Sequence, residues 1–330
     1  MNRFKVFVVL VLMSFKTFAC LNWDIKKLKN KVEVYRDHKE YFVPRGHQFK
    51  IKDFSSLILD LEEGYEKTKD IDYLSDKGYV LIIQGKYKEA LALYLNIEKI
   101  KPNRYSTASN LGTLYELMGE NEKAYDWIKK SIRINPESHE GSEWLHLKIL
   151  EAKIQKLENP TGEFFIGTNF GSGITLKTKL SDEELIKLQD ALFFQLNERI
   201  SFIKPKDQII SVLLFELGNI AFMDENFSSD TSEIYELSKK YGFRSDVLNE
   251  RLIVCYKKMN DFFLKNGKDL DKIATREQAL TDKLIKKARN DDDSFNQMIM
   301  VFSIITLFLL SSTIILFFKW KKLKKAIPAS

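Results

Sequence analysis

Four histidines, His38, His47, His139 and His146, are the side chains of this sequence best suited to bind a metal ion or to transfer a proton near neutral pH. A zinc site on a helix places two histidines four residues apart, and no pair here has that spacing. His139 and His146 are seven residues apart, which is two helical turns and too far for one metal ion. The spacing therefore predicts solvated or packed histidines and no metal site.

The other residue types that could do chemistry also lack a matching pattern. Cys20 and Cys255 are the only cysteines, and neither lies in a local signature of a catalytic thiol. A disulfide between them would suit an exported protein, but a buried Cys255 on a helix is the favoured interpretation. No Gly-x-Ser-x-Gly motif is present, and residues 291–293 lack the alternating ligands and the glycine of a calcium loop. The sequence thus predicts no cofactor and a protein that is not an enzyme.

Residues 159–180 form the one glycine-dense stretch of the chain. A loop that binds nucleotide phosphates needs a strand before it, a helix directly after it and usually a Lys-Ser or Lys-Thr pair, none of which is clear here. Two short strands around a glycine turn fit better, so we predict a hairpin-like insertion at 159–180. A new helix is expected after it, with Ser181 as the N-cap and Glu184 three residues later.

A 34-residue period is the strongest indication of fold. Aligning residues 71–104 with 105–138 brings small and helix-ending residues into register. The matched pairs are Gly78 with Gly112, Gly85 with Gly119, Ala90 with Ala124, and Pro102 with Pro136. Glycine and alanine let two helices cross closely, glycine adopts the left-handed conformation of a turn, and proline ends a helix. The pattern predicts two helix-turn-helix units in tandem.

These residues resemble the tetratricopeptide repeat family, whose unit is a helix-turn-helix of that length. The resemblance implies an array at 53–158, with clear repeats at 71–104 and 105–138 and a degenerate third unit in which His146 stands where glycine is expected. Residues 20–52 are interpreted as irregular or short-stranded, with Val32, Val34, Tyr41 and Val43 as candidate strand residues. Residues 181–290 are predicted to be a second helical region, in which Leu217-Gly218 belongs either to a further degenerate repeat or to an unrelated helix pair.

The resemblance also implies where a partner would bind, since such arrays usually hold a peptide in the groove lined by the first helix of each repeat. The candidate groove positions are Ser75, Tyr79, Ile82, Ser109, Thr113 and Glu116. This set is mostly neutral and lacks the lysine and arginine with which some relatives clamp a carboxylate terminus. The alternative is that Tyr79 and Ile82 only pack against neighbouring helices.

The two ends of the chain predict its location. Residues 1–19 have the basic, apolar and small-residue order of a secretory signal, with cleavage expected after Ala19 and lipid attachment at Cys20 as an alternative. Residues 298–318 contain no charge and are long enough for a transmembrane helix, with a buried core helix as the alternative. The basic tail 319–330 follows this span and is therefore expected in the cytoplasm.

The formal charge of +6 lies at these same ends. Residues 1–19 and the stretch after residue 295 contain eight lysines and arginines and no acidic residue. The remaining chain has 44 basic and 46 acidic residues, which creates no field that would attract phosphates. A nucleic-acid partner is therefore excluded.

The sequence predicts an all-α, tetratricopeptide-type helix-turn-helix solenoid with short β-hairpin insertions and one C-terminal transmembrane helix. The predicted function is that of a scaffold or adaptor that binds another protein or peptide on the extracytoplasmic side of a bacterial inner membrane. One alternative is an extracytoplasmic enzyme with its site in residues 23–50 or 155–210, which a pocket with convergent polar groups there would favour. Another is an envelope sensor that signals through residues 259–297.

Overall fold

The computed structural model describes residues 23–38, 43–223 and 229–266. In these residues the chain forms a two-stranded antiparallel ribbon of β1 (Trp23–Lys27) and β2 (Glu33–His38), followed by helices. The helices are α1 (Phe54–Thr68), α2 (Ile71–Ile83), α3 (Tyr87–Ile100), α4 (Tyr105–Leu117), α5 (Asn121–Ile134), α6 (Glu143–Ile154), α7 (Gly162–Ile166), α8 (Asp182–Phe202), α9 (Gln208–Met223), α10 (Ser229–Tyr241) and α11 (Asp246–Asn266), with a 3-10 turn at Ser138–Gly141 before α6. Among the described residues, those up to Leu248 belong to one compact unit and those from Asn249 to Asn266 to a second.

Helices α2 to α5 form the two repeats that the 34-residue period predicts. The first helices begin at Ile71 and Tyr105 and the second helices at Tyr87 and Asn121, so both kinds of helix start recur with the predicted period. Gly85 and Gly119 lie in the turns at φ of +73° and +80°, where a side chain would be strained. Pro102 and Pro136 follow the ends of α3 and α5 by two residues. The two predicted helix-turn-helix units are therefore confirmed.

The two helices of each repeat touch where glycine removes side-chain bulk. A Cβ atom on Gly78 would lie 2.6 Å from the ring of Tyr94, and one on Gly112 would lie 2.3 Å from Cδ1 of Ile128. The Tyr94 hydroxyl donates to the carbonyl oxygen of Ser75 at 2.7 Å and accepts from Nδ2 of Asn110 at 2.8 Å. Ala90 and Ala124 are fully buried in the same apolar core. The close crossing thus depends on small residues on one helix and a filling side chain on the other.

Helices α9 and α10 have the same crossing. A Cβ atom on Gly218 would lie 2.6 Å from the ring of Tyr235, and the Tyr235 hydroxyl donates to Oδ1 of Asn219 at 2.9 Å. Gly218 is on the first helix and the tyrosine is on the second, as in the first repeat. The geometry favours a degenerate repeat over an unrelated helix pair at this position. The residue that packs against the glycine, here Tyr235, follows it at a distance one residue longer than in the two earlier units.

The N-terminal residues cover one end of the array. Leu28, Val34 and Tyr35 of the ribbon form a buried cluster with Leu57 and Leu61 of α1 and with Val80 of α2. Val34 lies in β2, Val32 precedes it, and Val43 is buried in a non-regular segment, whereas Tyr41 lies outside the described residues. The short-stranded interpretation of this region was therefore right for β1 and β2, and as strand residues Val34 was right whereas Val32 and Val43 were wrong.

The predicted hairpin at 159–180 was wrong, because this stretch contains no strand and instead begins with helix α7. Thr161 caps α7 by accepting from the backbone N–H of Phe164, and Phe165 and Phe170 are buried in the core formed by α6, α8, α9 and α10. One helical turn and a loop place these aromatic rings in the core without a strand pair. The helix expected after the stretch is present as α8, and Ser181 and Glu184 form its capping box.

Within 23–38, 43–223 and 229–266, no helix is both long and apolar enough to cross a membrane. The segments predicted as a signal (1–19), as a transmembrane helix (298–318) and as a tail (319–330) lie outside these residues. The predicted location of the protein therefore stays a prediction.

Candidate functional site

A cleft of about 50 Å³ lies between the repeat array and helix α8. Ser109, Thr113 and Glu116 of α4 line one side of it. Gln195, Glu198 and Arg199 line the opposite side together with Phe202, all on one face of α8 because they are three, four and seven residues apart. The lining is completed by Leu117, His139, His146, Phe194 and Ile203. The cleft is thus lined on one side by residues of the second repeat and on the other side by residues that follow the two repeats in sequence.

The carboxylate of Glu116 is the centre of the polar contacts in this cleft. Its side chain is only 6% exposed, and it accepts from His146 Nε2 at 2.7 Å, from Lys153 Nζ at 2.7 Å and from Arg199 Nη2 at 3.3 Å. Burial alone would raise the pKa of Glu116, but the charges of Arg199, His146 and Lys153 outweigh it and hold that pKa well below its usual value. Glu116 is therefore a buried anion that joins α4 to α6 and α8.

A second buried carboxylate, Glu143, extends this network to the start of α6. One oxygen lies 2.8 Å from Nδ1 of His139 and the other 3.2 Å from Nδ1 of His146. Burial raises the pKa of Glu143, yet the hydrogen bonds from the two histidines dominate, so the pKa lies below the normal range. His146 is consequently placed between Glu143 and Glu116, with a carboxylate at each ring nitrogen. Burial and Arg199 lower the pKa of His146, but these two carboxylates raise it above its ordinary value.

His47 makes the corresponding contacts between the N-terminal ribbon and α8. Its Nδ1 lies 2.5 Å from Oδ2 of Asp37 on β2, and its Nε2 lies 2.8 Å from Oε1 of Glu198 on α8. The imidazole is 2% exposed and stacks on Tyr35, with 3.8 Å between ring centroids. Burial lowers the pKa of His47, but the hydrogen bonds to Asp37 and Glu198 raise it to about 9.

The candidate groove positions are more covered than the sequence suggested. Ser75 and Ile82 are buried, at 7% and 2% exposure. The Tyr79 ring lies 5.4 Å from Nζ of Lys26 on β1. Ser109, Thr113 and Glu116 border the cleft, and Thr113 stays partly exposed. The first-helix face, defined as the side chains that α2, α4 and α6 direct towards the ribbon and α8, is therefore occupied by parts of the same chain.

Sequence reasoning missed the cations of this face. The groove was expected to lack lysine and arginine, whereas Lys153 and Arg199 both contact Glu116. They are 37 and 83 residues away from it in sequence, and Arg199 lies outside the repeats that were used to identify the groove. The only local signal was the spacing of Gln195, Arg199 and Phe202 on one face of α8.

Sequence reasoning placed the histidines and cysteines more accurately. His146 is packed and His139 is partly exposed, and both contact Glu143. Among the described residues no group of three or more histidine, cysteine, aspartate or glutamate side chains is arranged to hold a metal ion. Cys255 is buried, as the favoured interpretation required, and Cys20 lies outside the described residues.

Comparison with known proteins supports the tetratricopeptide class for this chain. The family model of the tetratricopeptide repeat matches residues 106–138, which correspond to the second repeat. A TPR repeat-containing protein of Methanocaldococcus jannaschii is 24% identical over 226 residues, which cover 67% of this chain and 32% of that protein. The chain therefore spans about a third of the length of this relative.

A solved structure is also similar in part. The crystal structure of a tetratricopeptide repeat protein from Parabacteroides merdae aligns with 74% of this chain and 90% of its own, at 15% identity and a TM-score of 0.34. The match of the family model and the two observed helix pairs together show that this chain carries helical repeats of the tetratricopeptide type.

Proposed function

We propose that this chain is a protein-binding scaffold whose repeat domain lies on the extracytoplasmic side of a bacterial inner membrane. The tetratricopeptide repeats support protein binding, because family members are generally scaffolds and not enzymes. The order of the end segments, with a signal-like start, an apolar stretch at 298–318 and a basic tail, supports the location. The partner is another protein or peptide, and no nucleic acid is expected.

The proposal rests on the exposed opening of the cleft, here called its mouth. Thr113, His139 and Phe194 are partly exposed there, while the residues below them are buried in ion pairs. His139 stacks on Phe194 with 4.8 Å between ring centroids, so an aromatic surface lies beside polar groups. Interfaces commonly combine such aromatic residues with a small desolvated pocket. We place partner binding at this mouth.

The enzyme alternative is favoured by one observation, since polar groups from α8 and α6 do converge in the cleft. A cleft of about 50 Å³ holds a few water molecules, whereas substrate pockets usually measure about 300–1,000 Å³. Glu116, Glu143 and Glu198 each already contact a histidine of the same chain. These contacts support a structural role for the carboxylates, so we retain the scaffold as the proposed function.

Filling the mouth with a large side chain tests this assignment. Thr113→Trp is expected to reduce crosslinked partner at least about tenfold in pull-downs from intact membranes, because loss of a central anchor site costs about 2 kcal/mol or more. Leu59→Trp is the matched control, since Leu59 is 58% exposed on α1 and contributes nothing to the cleft. Equal recovery of partner by the two variants, at unchanged thermal stability, would show that the mouth is not the binding surface.

Protease added to spheroplasts tests the proposed location. The repeat domain is expected to be degraded, whereas a tag placed after Ser330 should remain intact because the basic side of a span stays in the cytoplasm. Loss of the tag with protection of the repeat domain would reverse the orientation, and loss of both would mean that residues 298–318 do not hold the tag in the cytoplasm. Protection of both parts would place the repeat domain inside the cell.

A further inference from the structure

The N-terminal residues 23–38 and 43–50, here called the ribbon segment, are held against α8 at one short stretch. The backbone N–H groups of Arg45 and Gly46 donate to Oδ1 of Asn197 at 3.1 and 2.8 Å, and that of His47 donates to Oγ of Ser201 at 2.7 Å. Between these bonds and β2, the His47 ring joins Asp37 to Glu198. The ribbon segment also places Lys26 over the Tyr79 ring of α2. Apolar contacts of Leu28, Val34 and Tyr35 with α1 and α2 also hold the ribbon segment, so the bonds to α8 are one part of its attachment over this face.

The surroundings of His47 require a protonated ring. A neutral imidazole has one N–H donor and one lone pair, whereas an imidazolium has two donors. Asp37 and Glu198 each place a carboxylate oxygen within 2.8 Å of one ring nitrogen, so both nitrogens must donate. If the ring lost a proton, one of these carboxylates would face a lone pair at a site where the ring is 2% exposed.

We propose that His47 is a proton-dependent bridge: the protonated ring stabilises the contact of the ribbon segment with α8, and deprotonation increases the fraction of molecules in which the ribbon segment has left α8 and Tyr79 is uncovered. The bridge joins only the ribbon segment to α8, while the contacts of α8 with α9 are apolar and do not titrate. Release is therefore local. The consequence for partner binding at Tyr79 rests on the proposed function, but the release itself does not.

The charged and titratable groups around the ring agree with this assignment. From β2, Asp37 accepts from the ring and Tyr35 stacks on it; from α8, Glu198 accepts from the ring. Within the ribbon segment, Arg45 is directed to Glu233 of α10 at 2.7 Å. The charges of His139 and Arg199 also lower the pKa of Glu198, but less than His47 does, and Asn197 Nδ2 donates to Oδ2 of Asp37 at 3.2 Å. His47 is thus the cation that bridges both carboxylates.

We call the state in which the ribbon segment lies on α8 the closed state, and the state in which it has left α8 the open state. The direction of the pH effect follows from the pKa of His47, which is raised from 6.5 to about 9 in the closed state. A histidine with a raised pKa stabilises the closed state fully below pH 6.5 and loses that contribution as the pH rises through 9. Between pH 7 and 9.5 the fraction of open ribbon segment should increase on the order of 50-fold by this linkage. The bridge is therefore intact at neutral pH and is lost in alkali.

Tryptic cleavage of the full chain in detergent micelles measures the opening, because the ribbon segment contains lysines at 26, 27, 29, 31 and 50. The cleavage rate at these lysines, divided by the rate for a short peptide of the same sequence, is expected to rise on the order of 50-fold from pH 7 to 9.5. Cleavage at Lys239 and Lys240 of α10 reports unfolding of the whole unit and should stay slow. The proposal would be overturned if the cleavage rate at the ribbon lysines did not change with pH. It would also be overturned if that rate rose in parallel with the cleavage rate at the lysines of α10.

Three variants separate His47 from other titrating groups. His47→Gln should show rapid ribbon cleavage already at pH 7, with little further change up to pH 9.5. Tyr35→Phe removes the stacked phenol and should keep the pH profile of the native chain, as should His146→Gln, whose ring contacts Glu116 and Glu143 instead. If Tyr35→Phe abolished the profile, ionisation of the phenol and not of His47 would be its cause. If His47→Gln does not fold, the native and Tyr35→Phe profiles decide alone. No partner takes part in this assay, so its outcome is independent of the test of the proposed function.

Discussion

Replacing Glu116 by alanine is expected to lower the free energy of unfolding by about 3–5 kcal/mol, the usual cost of removing one partner of a buried ion pair. The substitution would leave Arg199 and His146, which are 6% and 7% exposed, without their shared carboxylate. For a unit of this size the melting temperature should fall by about 10 °C. Urea denaturation followed by circular dichroism measures the change. Glu116→Gln should lose less, because an amide oxygen still accepts one hydrogen bond.

Glu63→Ala is the control for this prediction. Glu63 is also a glutamate in an ion pair, 2.9 Å from Lys67, but its side chain is 67% exposed. Exposed pairs contribute little to stability, so this variant should unfold at the same urea concentration as the native chain. A loss for Glu116→Ala no larger than that for Glu63→Ala would mean that the Glu116 contacts do not hold α4, α6 and α8 together.

Gly78→Ala is expected to destabilise the protein by about 2 kcal/mol through overpacking. The added methyl group would lie 2.6 Å from Cε2 and Cζ of Tyr94. The ring cannot rotate away easily, because its hydroxyl is hydrogen-bonded to the Ser75 carbonyl oxygen and to Asn110. The two helices of the first repeat would have to separate. Thermal unfolding monitored by circular dichroism measures the loss.

A double-mutant cycle with Tyr94→Leu makes this prediction specific. If the ring is the obstacle, Gly78→Ala should cost much less when Tyr94 is already leucine. Gly173→Ala serves as a control, since the nearest atom to its added Cβ would be 3.9 Å away. An equal cost of Gly78→Ala in both backgrounds would mean that glycine is needed here for another reason than the close approach of Tyr94.

The sequence predicted those parts of the fold that depend on residues close in the chain. Gly78 and Tyr94 lie within one repeat, and the same interval separates Gly112 and Ile128 in the next, so one period indicates both helix crossings. The capping box of Ser181 and Glu184 is likewise local. The α7 region was mistaken for a hairpin, because glycines and short apolar runs occur in both strand turns and single helical turns. Only the burial of Phe165 and Phe170 distinguishes the two.

The candidate site was less predictable, because its contacts join distant parts of the chain. Glu116 and Thr113 were selected from the first-helix positions of the repeat, and both do line the cleft. Their neighbours on α8 belong to no repeat, so nothing in the 34-residue period indicates that Arg199 reaches Glu116. His47 has one partner nearby in sequence, Asp37, which is ten residues away, but its other partner Glu198 is 151 residues away. A single sequence does not show such pairs.

The same ion pairs have a consequence for the order in which the chain folds. The two repeats form from contacts that are local in sequence and should therefore assemble early, since local contacts close small loops. His47 and Glu116 are synthesised long before Glu198 and Arg199, so their charges must stay hydrated until α8 has emerged. Formation of these ion pairs is therefore expected to be a late, slow phase of folding that is sensitive to ionic strength. We therefore expect an N-terminal fragment that ends before α8 to form the repeats while the part of the first-helix face that α8 covers stays exposed to solvent.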